Sequence, residues 1–511
     1  MNGHPVMPSI DWPTLLPTLI VIATGIVTLF VEMFAPRRNN NIIVGVGLVG
    51  LLIAAVSVTN QFGLPNAATF GDMVVRDHLG LVLQLLLVGV CFVAFMFSEG
   101  YMREKKIAFA EFYPLALWST AGAMLMVTTT NMLELFLGLE VLSIALYCLA
   151  GMSRQESKSE ESALKYFLLG AFASAFLLMG IAYIFGATGS LDLSAIATIS
   201  KIGQPFHHNM VVFGIGMLLV GLGFKSALVP FHQWTPDVYQ GAPTHVTGFM
   251  AAASKIAAFG ALIRVLEAAA PYQSFWFPVM FWICILTMTV ANLSALVQKD
   301  VKRILGYSSV ANAGYILVGV LAHVKEPESV GLGTSLYYLV AYSLMTLGAF
   351  ATLSLVAKGG KEGTRLQDLH GLYHRAPFAV ACLVVFVVSL IGIPPTAGFL
   401  GKFLIFNDAL SAGLPVLAIV LAVNSVVSVY YYLGILHAAF VSEDGAVKTV
   451  SAKPGLGLNL AVLACAVGIF AVTFGATPIQ AGLAGGDKTP PQIQAKSIDV
   501  PVSYTSPGSP N

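Results

Sequence analysis

Charge is what this chain has least of. Aspartate, glutamate, lysine and arginine make up 10% of its 511 residues, where soluble domains carry about 25%, which argues against a water-soluble fold. Cysteine is sparser still. Cys91, Cys148, Cys284, Cys382 and Cys465 all sit in apolar stretches, and none forms a CxxC pair or a Cys/His cluster with ligand spacing. That leaves no sequence basis for an iron–sulfur, haem or structural zinc site. An excess of one charge sign is also missing, because 26 basic against 25 acidic residues leave a net charge of +1. Nothing therefore calls for nucleic acid or another strongly charged partner. No phosphate loop, nucleophile elbow or metalloprotease motif occurs, and the expectation is a chain without redox or hydrolytic chemistry of its own. The glycines of GIGMLLVGLG lie inside an apolar run with no strand before them, so they read as helix-packing positions. The N-terminal MNGHPVMPSIDWP lacks the basic region of a signal peptide, and the first apolar run is expected to be kept as a helix.

What the chain has in abundance is long apolar runs: 57% of its residues are hydrophobic and the mean hydropathy is +0.82. A helix crosses a bilayer with about 20 such residues. Hydropathy, punctuated by charges, Gly and Pro, predicts helices near 13–34, 41–59, 79–98, 110–129, 131–152, 161–186, 210–229, 243–266, 275–297, 303–323, 332–357, 377–411, 414–440 and 457–476. The expected fold class is an all-α integral membrane protein of about fourteen transmembrane helices, followed by a Pro-, Ser- and Lys-rich tail read as an exposed end. Basic residues collect in cytoplasmic loops. Alternate loops here carry Arg37 and Arg38; Arg103, Lys105 and Lys106; Arg154 and Lys158; Lys299, Lys302 and Arg303; Lys358, Lys361, Arg365 and Arg375; and Lys448 and Lys453. The intervening loops hold little more than Arg76, Lys201 and Lys325, so both termini are expected on the non-cytoplasmic side.

Two of the spans cannot be continuous helices. Pro230 and Pro236 interrupt the seventh, and the Pro394-Pro395 pair with Gly392, Gly398 and Gly401 interrupts the twelfth. Non-helical backbone at membrane depth survives only when buried in protein or lining a wet cavity, so each break is expected to border a hydrated path. The breaks lie five helices apart in segments of opposite direction, the relation of an inverted repeat. The expected organisation is a three-helix region over 1–98, a five-helix repeat over 99–270 (helices 4–8), a second over 271–441 (helices 9–13), and a last helix with an exposed tail over 442–511.

Lys225, Lys255 and Lys402 each stand alone in a long apolar stretch, and Glu140 lies near the middle of another. A charge at a helix centre costs about 2.5 to 3.5 kcal/mol even on lenient insertion scales, so such residues are functional candidates. Ion movement, and proton movement most of all, is the chemistry they suggest. Glu140 facing Lys225 would form a switch, each keeping the other charged until one changes partner, and an ammonium freed from its carboxylate in a dry site releases its proton more readily. The order expected is Lys225 to Lys255 to Lys402, with water, His245, His232 or the second helix break filling the gaps. Against this stands the structural alternative, in which a lone lysine snorkels to the interface or anchors a helix contact. Glu134, Arg264 and His323 lie near helix ends and read as interfacial charges, and His207-His208 as solvated polar residues.

The segment GFKSALVPFHQWTPDVYQGAPT followed by Ser254-Lys255, the stretch KRILGYSSVANAGY and the segment GIPPTAGFLGKF resemble the antiporter-like membrane subunits of respiratory complex I, the proton-pumping NADH:quinone oxidoreductase. The likeness runs over nearly the whole chain. Within that family it is to the subunit N branch: the longest members carry extra C-terminal helices for which 511 residues leave no room, and the intermediate member has glutamate at the position of Lys402. The resemblance implies Glu140 and Lys225 as a pair, Lys255 as central relay and Lys402 as distal station. It implies no cofactor on this chain, with FMN, iron–sulfur clusters and the NADH and quinone sites on partner subunits. The partners implied are the other complex I subunits, chiefly the neighbouring membrane ones, in a bacterial cytoplasmic (inner) membrane. Many relatives have histidine in an SSxxH segment where this chain has Asn312. The alternative use of the same resemblance is a subunit of a multisubunit cation/proton antiporter, although hard cations prefer carboxylate oxygens to lysines.

Overall fold

The computed structural model describes residues 10–34, 41–105, 110–154, 156–200, 205–328, 330–354, 363–441 and 455–484. The basic residues Arg37, Arg38, Lys106, Lys201, Lys358, Lys361, Lys448 and Lys453, and the tail after Ala484, lie outside them. The chain opens with α1 (Trp12–Phe34), α2 (Asn41–Thr59), an antiparallel hairpin of β1 (Ala67–Thr69) and β2 (Val74–Arg76), and α3 (His78–Lys105). There follow α4 (Phe112–Thr128), α5 (Met132–Ala150), α6 (Ser157–Thr188), α7 (Ser194–Ile199), α8 (Pro205–Ser226), α9 (Trp234–Gly241) and α10 (Thr244–Ala268). The second half comprises α11 (Gln273–Leu296), α12 (Val301–Lys325), α13 (Gly333–Leu353), α14 (Leu372–Arg375), α15 (Pro377–Ile391), α16 (Ala397–Ser411), α17 (Pro415–Phe440), α18 (Leu456–Phe474) and α19 (Ala476–Ala484).

Apart from the β1–β2 hairpin, the regular structure of the described residues is helical, and the chain is a membrane protein of the all-α class. Among the described residues, 12 helices are long and apolar enough to cross a bilayer, and Phe112–Thr128 and Pro377–Ile391 are shorter apolar ones. The third helix runs to Lys105, past the boundary expected at 98, because Ser98, Glu99 and Gly100 do not stop a helix already committed to an apolar face. The hairpin, α7 and α19 were not foreseen. The hairpin is pinned by Arg76, which is buried and donates to Asp11 Oδ2 (3.1 Å) and to the Pro65 carbonyl.

The helices divide into a centre and a rim. Every residue of the most apolar 18-residue window of α10 is buried, as are 94% of that of α12 and 89% of that of α13, whereas α2 and α6 are 33% buried. The rim helices α1, α2, α6, α11 and α17 turn Leu, Val, Ile and Phe outward, where a soluble protein would place charge. α10 packs against α3, α4, α8, α12 and α13. At one end Arg264 of α10 donates both guanidinium nitrogens to Asp77 (2.7 and 2.8 Å) and its Nε to the Val127 carbonyl. Arg264 is thus walled in rather than interfacial.

Candidate functional site

Both expected helix breaks are present, and each solves the same problem: the last carbonyls of a helix have no partner in the helix itself. α8 stops because Ala227 takes a left-handed conformation (φ 60°), and the chain turns back so that Leu228 N donates to the Gly223 carbonyl (2.8 Å) and Ala227 N to that of Phe224 (3.0 Å). Trp234 Nε1 adds a second bond to Phe224 O (3.0 Å), and Val229 N donates to Thr287 Oγ1 (3.0 Å). The remaining Ser226 carbonyl is taken by Lys255 Nζ (3.1 Å), reaching across from α10.

α15 stops at Gly392, whose φ of 88° suits glycine, and Gly392 N and Ile393 N both donate to the Val388 carbonyl. Lys402 Nζ then bonds the Leu390 (2.9 Å) and Ile391 (3.0 Å) carbonyls. Its ammonium lies 4.9 Å from the Tyr315 ring centre. α16 restarts with Thr396 as its cap and passes so close to α15 that a Cβ at Gly398 would strike the Ser389 carbonyl. Of the break residues, Pro230 lies at the first turn-back with His232 two residues on, Pro236 falls within the first turn of α9, and Pro394-Pro395 bridge α15 to α16.

Lys225 is held differently. Its Nζ donates to Ser143 Oγ (2.8 Å) and to Tyr166 OH (3.2 Å). No ion pair joins it to Glu140, although the carboxylate remains within electrostatic reach. The expected direct pair is corrected on this point: Ser143 lies three residues on from Glu140 along α5 and takes the ammonium first. One Glu140 oxygen is buried without a hydrogen-bond partner. Glu140 sits at the margin of the outward face formed by Leu137, Val141 and Ile144.

All three lysines are therefore at most 5% exposed and bonded only to neutral acceptors. Between Lys255 and Lys402 the core carries hydroxyls. Tyr342 OH lies 2.8 Å from Ser309 Oγ and 3.5 Å from the Ala251 carbonyl, one turn of α10 from Lys255, and Tyr239 OH lies 3.2 Å from the same Ser309. On the adjoining face of α12, Ser308 bonds Tyr432 OH, Asn312 donates to the Ser308 carbonyl (2.8 Å), and Tyr338 OH donates to Asn312 Oδ1 (2.6 Å). Tyr338 packs directly on Gly401, beside Lys402. Asn312 thus holds the expected histidine position with a hydrogen-bonded amide.

His245 does not bridge Lys255 and Lys402. It begins α10, ten residues or about 15 Å before Lys255, between Tyr101 and Phe112, with both ring nitrogens unpartnered. Its charged neighbour is Lys302, which was read as a loop residue but is buried and donates to the Ala242 carbonyl (2.6 Å). At the same end Asp237 of α9 is clamped by Lys165 (2.8 Å) and Arg303 (2.5 Å), fixing the half-helix beyond the break. Sequence reasoning missed Lys302, Tyr338 and Tyr342. None carried a signal, because Lys302 stands between Lys299 and Arg303 in what reads as a basic loop.

A membrane bundle whose core holds three lysines at two helix breaks has the build of an ion-conducting subunit. Residues 129–428 match the family model described as NADH:quinone oxidoreductase/Mrp antiporter, TM. The chain is 39% identical over 438 residues to NADH-quinone oxidoreductase subunit N of Trichlorobacter lovleyi, covering 85% of this chain and 89% of that one. It is 38% identical over 509 residues to the Mycobacterium tuberculosis subunit N, covering 90% and 94%. Among solved structures it matches a chain of respiratory complex I from Thermus thermophilus at 36% identity with a TM-score of 0.77, covering 92% of this chain and all of that one. A chain of the Mrp complex of Dietzia sp. shares the fold at 21% identity with a TM-score of 0.78, covering 93% and 97%. The chain belongs to the NADH-quinone oxidoreductase subunit N family of antiporter-like membrane proteins.

Proposed function

We propose that this chain translocates protons as a membrane subunit of NADH:quinone oxidoreductase, in a bacterial cytoplasmic membrane with both termini on the outer side. Electron transfer from NADH to quinone runs on partner subunits, which carry the FMN and iron–sulfur clusters, and drives the charge movement here. Lys225, Lys255 and Lys402 are the proton-bearing stations, and Glu140 is the group whose charge biases Lys225. The 99–270 and 271–441 halves act as two inverted units, each with its own break.

The observation that carries this reading is the bonding of the three lysines. Each ammonium is buried against hydroxyls or carbonyls and none against a carboxylate at ion-pair distance. A buried ion pair holds its proton in place. A buried ammonium with neutral partners exchanges its proton whenever a neighbouring charge shifts. Moving one charge against 100 mV takes about 2.3 kcal/mol, so the bias must come from outside this chain. The hydroxyls of Tyr342, Ser309, Tyr338 and Tyr432, with the Asn312 amide, supply donor and acceptor groups for the step between Lys255 and Lys402.

The test is proton ejection by the whole complex in sealed vesicles with NADH as donor. Lys225→Ala and Glu140→Gln should lower ejection per NADH oxidised, and full ejection in both would sink the assigned roles. The shared fold with the Mrp complex favours a second reading, sodium/proton antiport. Sodium-dependent pH changes in vesicles without NADH would support it, and their absence would remove it.

A further inference from the structure

We propose that protons leave Lys402 along the seam between α12, α13 and α16 and are released at a His323–Glu267 pair, with Ser335 and Asp408 as the intermediate groups. The proposal rests on the proton-translocation reading above and adds an outlet to it.

The three helices pack against one another, and polar groups recur along their common seam toward the end that lacks the lysine- and arginine-rich loops. Tyr338 of α13 meets Gly401 of α16 beside Lys402. Next along the seam, Ser335 of α13 and Ile405 of α16 close on Gly319 of α12, where only a hydrogen leaves room for the Ser335 hydroxyl. Ser335 is 1% exposed and its Oγ has no hydrogen-bond partner. A buried hydroxyl without a partner is costly, and here it lies between two titratable stations. At the end of the seam, Thr334 bonds the Asp408 carboxylate of α16, which lies within electrostatic reach of His323 of α12.

His323 explains why the seam ends there. Its Nδ1 lies 2.6 Å from the Val330 carbonyl and its Nε2 3.2 Å from Glu267 Oε1. A carbonyl and an ionised carboxylate are both acceptors, so a neutral imidazole satisfies only one contact and an imidazolium satisfies both. The pair is thereby built to hold one extra proton. Glu267 is 44% exposed while His323 is 12% exposed, so the proton has water on one side and the bundle on the other. Other charges at this end include Arg264, beside Glu267 and paired with Asp77, Lys325, which donates to the Gly413 carbonyl, and Glu326 and Glu328 in the turn after α12.

The transfer balances without electrons. The Lys402 ammonium loses a proton and becomes an amine, and the Ser335 hydroxyl accepts one proton while donating another. Asp408 is then protonated and returns to carboxylate as the proton passes to the His323–Glu267 pair and on to bulk water.

The test uses the assembled complex in liposomes, with NADH oxidation and proton ejection recorded together while the pH on the Glu267 side is stepped. His323→Gln, which can still donate to the Val330 carbonyl, and Asp408→Asn should each lower the protons ejected per NADH. They should also flatten the dependence of ejection on that pH between about 5 and 8, where histidine titrates. Ser335→Ala, which removes one hydroxyl, should lower ejection with the complex intact and serves if either of the others fails to assemble. Wild-type ejection and pH response in these variants, with loss in Lys402→Ala, overturns the outlet and leaves the relay standing. Full ejection in Lys402→Ala as well overturns both.

Discussion

The two helix breaks answer the same backbone problem with different side chains. At the first, the open Ser226 carbonyl of α8 is taken by a lysine from another helix, Lys255, while the break's own lysine, Lys225, turns away to Ser143 and Tyr166. At the second, the Leu390 and Ile391 carbonyls are taken by Lys402, which belongs to the continuation of the same broken span. Both sites exploit the partial negative charge at a helix C-terminus to hold a cation without a carboxylate. The difference is adjustability. Lys225 is held by side chains that can rotate, next to a carboxylate within electrostatic reach, whereas Lys402 is held by backbone that cannot. The first break is fitted to respond and the second to retain.

That contrast is most exposed to charge-preserving substitution. Lys402→Ala should reduce proton ejection about 10²-fold or more, the scale for loss of a positioned proton carrier. Lys402→Arg keeps the cation and its carbonyl partners but stays protonated, so it should restore thermal stability and leave ejection as low as in the alanine variant. Normal ejection in the arginine variant would mean that the site needs only a charge. Gly398→Ala comes next, because the new methyl group meets the Ser389 carbonyl. It should destabilise the complex by about 1–3 kcal/mol, the usual overpacking cost, seen as a lower midpoint in thermal unfolding; an unchanged midpoint would show that α15 and α16 can separate freely. At the first break, Ser143→Ala removes one acceptor from Lys225 and frees it toward Glu140. Loss of such a bond costs about 0.5–1.5 kcal/mol, so the pumping rate should shift several-fold with assembly unchanged. Tyr166→Phe removes the longer, 3.2 Å bond and keeps the ring stacked on Trp234. Its effect on the same assay should be the smallest, and one exceeding that of Ser143→Ala would reverse the ranking of the two partners.

Much of the helical layout was legible because Pro and Gly announce where a helix cannot continue and long apolar runs announce where one must. Pro230, Pro394-Pro395 and Gly392 all mark real interruptions. The hairpin and α7 were not legible, being short segments held by contacts to residues distant in sequence, such as Arg76 to Asp11 and Leu193 N to the Thr130 carbonyl. Lys225, Lys255 and Lys402 stood out in the sequence by their isolation. Their partners did not, since Ser143, Tyr166, Ser226 and Leu390 look like ordinary members of apolar helices until two helices are brought face to face. The Glu140–Lys225 pair failed as a direct contact for that reason. Periodicity places both on helices, but which residue of α5 meets the ammonium is settled by the packing of α5, α6 and α8. The contact of His323 with Glu267 was not legible either, because nearness to a helix end says nothing of a neighbour on another helix.

The enclosure of α10 bears on how the protein is made. A helix carrying Lys255 and Arg264 is a poor passenger in bare lipid, and in the finished protein its apolar stretch is wholly shielded from it. During synthesis it emerges after α3 and α4 but before α12 and α13, so half of its shelter does not yet exist. Until the second half of the chain arrives, α10 must wait beside α3, α4 and α8, its Arg264 already able to reach Asp77. Biogenesis therefore has a vulnerable interval, and a change that weakens the Arg264–Asp77 clasp should show first as lost yield of inserted protein rather than as altered pumping by the molecules that survive.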